Sequence, residues 1–75
     1  MEEIVGHRWF SGKDTVGAVL VRVDGRTCAY IGPAMGHDEQ SDIMAIRQWG
    51  ARLPFNVAKA MFPGVDEKTH SDESP

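Results

Sequence analysis

Cysteine is almost absent from this chain. Among 75 residues only Cys28 carries a thiol, which excludes an internal disulfide. Small secreted domains usually depend on such staples, so the expected compartment is the cytoplasm. Long apolar runs are missing too. The run Gly17 to Val21 falls far short of a membrane span, and no basic-then-apolar leader opens the chain. A membrane role is not expected. Charge of one sign is also scarce. Eight Lys and Arg stand against eleven Asp and Glu, for a net −3. Residues 1–32 set Glu2, Glu3, Asp14 and Asp24 against Arg8, Lys13, Arg22 and Arg26. Residues 33–64 set Asp38, Glu39 and Asp42 against Arg47, Arg52 and Lys59. Both stretches sum to zero, and the deficit sits in residues 65–75, where Asp66, Glu67, Asp72 and Glu73 outnumber Lys68. A balanced body lacks the basic footprint expected of a nucleic-acid binder. No internal repeat is present either.

What is present supports a folded chain. The hydrophobic share is 41%, with Trp9, Trp49, Phe10, Phe55, Phe62 and Tyr30 as large side chains to bury. The length allows one domain. Residues 1–64 are read as a single compact unit and 65–75 as a flexible acidic tail. A body that small buries only roughly 60% of its unfolded surface. Self-association is therefore a reasonable second source of stability, and a homodimer is expected.

Residues 3–10, EIVGHRWF, read as a first strand. Simple alternation puts Val5, His7 and Trp9 on one face and Ile4, Arg8 and Phe10 on the other. Ser11-Gly12-Lys13-Asp14 is a turn signal. Residues 15–23, TVGAVLVRV, are the strongest strand signal. Asp24-Gly25 is the preferred pair for a two-residue hairpin. It fixes a register that opposes Val21 to Cys28, Val19 to Tyr30, Leu20 to Ala29 and Ala18 to Ile31. Residues 26–32 form the third strand. Asp38 is the N-cap candidate for a helix running to about residue 51, with Ile43, Ile46 and Trp49 at helical spacing. Pro54 breaks or restarts the helix, and residues 54–62 form a second short one. The expected fold is α+β: a three-stranded antiparallel β-meander followed by one broken or two short C-terminal helices packed on one sheet face. Ile43, Ile46, Trp49, Phe55, Ala58 and Phe62 are the expected contacts of those helices.

That arrangement leaves one apolar sheet face uncovered. Trp9, Ala18, Leu20, Arg22, Ala29 and Ile31 are the expected interaction surface on it. Other constellations are weaker. His37, Asp38, Glu39 and Asp42 form the densest polar cluster, but metal binding needs more convergent ligands, and helix capping explains the acidic residues. Cys28 and His7 hint at a thiol–imidazole pair, yet the thiol sits in an apolar strand context. Ser11-Gly12-Lys13-Asp14-Thr15 lacks the spacing of a phosphate loop. No catalytic, cofactor or metal residues are assigned. The expected function is a small non-enzymatic protein-binding domain, an adaptor, modulator or inhibitor of another protein. The first alternative is a single-stranded nucleic-acid binder using Arg8, Trp9, Arg22, Arg26 and Tyr30. The second is a small metal-dependent or accessory enzyme component. No motif is specific enough to name a family.

Overall fold

The computed structural model describes residues 1–10, 15–36 and 38–71. The turn signal at Ser11–Asp14, His37 of the polar cluster, and Asp72 and Glu73 of the acidic end lie outside them. The elements in chain order are β1 (Glu2–Phe10), β2 (Val16–Val23), β3 (Arg26–Pro33), α1 (Glu39–Trp49), β4 (Ala51–Leu53) and α2 (Phe55–Met61). The strands form one antiparallel sheet in the order β1-β2-β3-β4. No helix among the described residues is long and apolar enough to cross a membrane.

The β2–β3 hairpin follows directly from Asp24-Gly25. Asp24 has φ 50° and Gly25 φ 82°, the two positive values that a tight hairpin turn requires. The register is the expected one, with Val21 opposite Cys28, Val19 opposite Tyr30 and Leu20 opposite Ala29. β1 departs from simple alternation. Its register with β2 slips between Ile4 and Gly6, a bulge that adds one residue and changes which face the following side chains take. Ile4 therefore shares the Val19 and Val21 face with His7 and Trp9, while Val5 shares the Leu20 face with Arg8 and Phe10, which corrects the expected grouping.

The expectation of three strands is corrected to four. β4 occupies the three residues between the end of α1 and Pro54, and pairs Leu53 with Ala29 and Ala51 with Ile31. Three residues are too few to display an alternation, so the strand leaves no periodic signal. Its cause is local. The Gly50 N–H closes the helix on the Ile46 carbonyl, after which Gly50 is extended (φ −70°, ψ 160°). A Cβ at Gly50 would lie 2.8 Å from the Ile31 carbonyl oxygen, so only glycine lets the chain approach β3 this closely. Pro54 then caps α2 from an extended conformation.

The placement of both helices on one face is corrected as well. α1 lays Ile43 and Ile46 on Val19 and Val21. α2 and the residues after it lay Ala58, Phe62 and Val65 on Ala18, Leu20, Ala29 and Leu53. Alternation along β2 and β3 makes both faces apolar, and β4, at the sheet edge, carries the chain from one face to the other. The expected tail boundary falls inside the packed unit. Val65 is buried, as is His70, and the Thr69–Ser71 stretch runs beside Thr27 with backbone bonds of 2.9 and 2.8 Å. The His70 ring joins Thr27 Oγ1 (3.0 Å) to the Leu53 carbonyl (3.2 Å). The imidazole Nε2–H donates to that carbonyl, and in the neutral ring Nδ1 accepts from the threonine hydroxyl.

Candidate functional site: an apolar groove beside α1

α1 starts where Asp38 accepts the Ser41 N–H at 2.9 Å, satisfying one of the donors left open at a helix start. One turn later the buried Asp42 carboxylate accepts the Met35 N–H at 3.2 Å. That bond holds the loop after β3 against the helix and leaves the Met35 side chain 63% exposed. At its other end α1 lies close to the sheet, because Gly17 and Gly32 oppose each other across β2 and β3. A Cβ on Gly17 would overlap the Trp9 ring and approach Ile46, and one on Gly32 would stand 3.4 Å from the Gly50 Cα. Between helix and sheet lies a groove of about 250 Å³, lined by Gly32, Pro33, Met35, Ala45, Trp49 and Gly50 over Ile46. Its lining is almost wholly apolar in residue type.

Trp49 is the principal surprise. Expected as a core residue, it is 75% exposed at the mouth of this groove. The buried stripe of α1 centres on Asp42, Ile43 and Ile46, and at 100° per residue Trp49 falls on the flank of that stripe. Met44 is 48% exposed and Trp9 38%. Trp9 covers Gly17 on the strand next to the groove floor.

The charges around α1 are engaged with the rest of the fold. Arg47 donates two hydrogen bonds to the Glu2 carboxylate, at 2.6 and 2.9 Å. These bonds hold the Glu2 carboxyl below its ordinary value and push the Arg47 guanidinium up. Arg47 also lies 5.3 Å from the Tyr30 ring centre. Glu39 pairs with His7, whose ring is 5.6 Å from that of Trp9.

The expected interaction surface is dispersed. Ala18, Leu20 and Ala29 are buried beneath α2, and Ile31 packs at the edge of that cluster. Arg22 is exposed and bonded to Glu3 at 3.2 Å, while Trp9 belongs to the α1 face. The residues of the nucleic-acid alternative are likewise divided. Arg8 follows the bulge onto the α2 face, where it donates to the Met61 carbonyl and lies over Phe10. Arg22 is on that same face. Trp9, Arg26 and Tyr30 take the other one by register, with Tyr30 flanked by Arg47 and Arg52. Cys28 and His7 stand on β3 and β1 with β2 between them, so no thiol–imidazole pair forms. The thiol instead accepts from Arg52 at 2.9 Å. Among the described residues no group of three or more His, Cys, Asp or Glu is arranged to hold a metal. Asp38 caps the helix, Asp42 holds the loop, and His37 lies outside the described residues.

Sequence reasoning missed Met35 and Ala45 as site residues. The available signal was negative: from Met44 to Trp49 the helix contains a single charged residue, Arg47. Comparison of the chain with protein-family models, with curated proteins and with solved structures gave no match.

Proposed function

We propose that this chain is a small non-enzymatic protein-binding domain, an adaptor, modulator or inhibitor, and that it binds through the α1 groove rather than the sheet face first expected. One observation carries the reading. Trp49, the most exposed aromatic side chain of the described residues, lines an apolar groove together with Met35, and Met44 is exposed elsewhere on the same helix. Tryptophan and methionine are enriched where proteins meet, and a few aromatic anchors supply most of the binding energy. The groove volume of about 250 Å³ lies below the roughly 300–1,000 Å³ typical of small-molecule sites. It suits one or two side chains of a partner. The nucleic-acid alternative draws no support from geometry, since its five residues are split between two sheet faces.

The test uses a random-peptide phage library panned against the immobilised protein. Selected peptides are expected to carry aromatic or aliphatic anchors and to shift the amide NMR signals of Gly32, Met35, Ala45 and Gly50. Their affinity should fall at least about tenfold against Trp49→Ala. Peptides that leave those four amides unmoved would remove the groove as the binding site.

A further inference from the structure

We infer that the occupant of this groove is a second copy of the chain, docked across a two-fold axis so that each Trp49 enters the groove of the other. The inference rests on the protein-binding reading of the same site and names its partner.

Charge is the first argument. The outward side of α1 carries Gln40, Ser41, Met44 and Gln48, with Ala45 and Trp49 on its flank at the groove and no ionisable group among them; the exposed Glu39 of the first turn is paired with His7. A surface helix ordinarily presents charge on its solvent side. Here each charged side chain of α1 has a partner in the fold: Glu39 pairs with His7, Asp42 accepts the Met35 N–H, and Arg47 donates to Glu2. A two-fold axis sets a patch against its own copy, so any charge on it would face its like. A neutral patch escapes that repulsion. A foreign segment bearing charge would find nothing here to pair with, whereas this chain presents a neutral apolar patch of matching character.

Area is the second argument. Trp49 is 75% and Met35 63% exposed at the groove, with Trp9 38% exposed on the strand next to its floor and Met44 48% exposed on α1, so the apolar side chains on and beside α1 offer on the order of 400 Å² per copy, taking a full aromatic side chain at roughly 150–250 Å² and a methionine as no larger. A standard interface buries about 800 Å² per partner, of which roughly 60% is apolar. The two apolar areas match, and Ser41, Gln48 and Pro33 can supply a polar and irregular rim. Shape is the third argument. One patch holds both a projecting indole and a recess sized for a side chain, the pairing that a self-complementary interface needs.

The experiment is sedimentation velocity on the full chain from about 1 μM to about 1 mM, a range that spans modest to weak affinities. Wild type should pass from one-chain to two-chain mass, with its tryptophan emission shifting to the blue. Trp49→Glu should stay at one-chain mass throughout while keeping the wild-type circular dichroism spectrum. Gln48→Arg, at an exposed position, is the second variant. It should weaken the dimer about tenfold or more by setting like charges across the axis, and it serves if Trp49→Glu does not fold. Wild type at one-chain mass throughout, or a dimer undiminished in the folded variants, would overturn the inference. If peptides still map to the groove of a monomer, the second copy falls and the protein-binding reading stands. With neither peptide nor dimer, both fall.

Discussion

On the α2 face of the sheet the apolar side chains are closed away. Ala18, Ala29 and Ala58 are fully buried, and Leu20, Leu53, Phe62 and Val65 are nearly so. On the α1 face Val19, Val21 and Ile46 are buried to the same degree, yet Met35, Met44 and Trp49 stand in solvent a few residues away. The difference comes from how much chain covers each face. The α2 face receives a helix, the turn after it and the strap through His70. The α1 face receives one helix, docked closely through glycines at its far end, and the groove opens beside it. A domain this small has little stability to spare. One face carries most of the closed core, which leaves the other free to display apolar groups that contribute little to folding.

The largest break in that comparison is a charge placed in the closed face. Leu20→Glu buries a carboxylate among Ala29, Phe62 and Leu53 with no partner for it. Such a change exceeds the several kcal/mol that a domain of this size commands. The variant should be unfolded at neutral pH, read as loss of the native far-ultraviolet circular dichroism. The three-strand expectation implied the opposite, a folded chain with a changed surface, so a folded Leu20→Glu variant would restore the open-face reading.

Deleting residues 65–75 tests the strap at the next level down. The deletion exposes the α2-face core at Val65 and removes the His70 bonds to Thr27 and Leu53, together with two backbone bonds to Thr27. A loss of roughly 2–4 kcal/mol is expected in urea unfolding. A change below about 0.5 kcal/mol would return the boundary to residue 64.

What was legible in the sequence follows from how local each cause is. The hairpin rests on two adjacent residues with strong turn preference, and its register propagated correctly from Val23 back to Gly17. The start of α1 rests on Asp38 bonding a backbone group three residues on. The bulge at Val5 has no local signature. Nor does β4, which exists because the β3 edge is available to pair with it. His70 is a polar residue in an acidic stretch, and only the fold brings it to Thr27, 43 residues away in sequence. For the site, Trp49 follows helical spacing and so reads as core, yet its angle on the helix puts it at the margin of the buried stripe. Recognising the groove needed the Gly17–Gly32–Gly50 proximity, a tertiary fact.

A smaller effect attends the tie between β1 and α1. Arg47 holds the Glu2 carboxyl below its ordinary value of 4.5. The folded value is depressed, so the contribution is present above the unfolded value and is lost as pH falls through the folded one. The pair is partly exposed, which limits it to about 1 kcal/mol or less at moderate salt. Glu2→Gln should lower stability by that amount at pH 7 and flatten the acid limb of a stability–pH curve below about 4.5. An unchanged acid limb would mean that the ion pair is not formed in solution.

The smallest expected effect on stability is also the sharpest form of the comparison. Trp49 is a large aromatic residue, and truncating one in a core costs about 3–5 kcal/mol. At 75% exposure it forfeits little buried area, and Trp49→Ala should shift the urea midpoint by no more than about 0.5 kcal/mol in equivalent stability. The measurement belongs at a concentration low enough to keep the chain monomeric, because association would add its own stabilisation. At high concentration the same substitution should remove that added term, so the two curves diverge only where copies meet. A loss of several kcal/mol in the dilute monomer would show the indole packed into the fold. The α1 face would then be as closed as the α2 face, and the distinction between a stabilising face and a recognising face would fail.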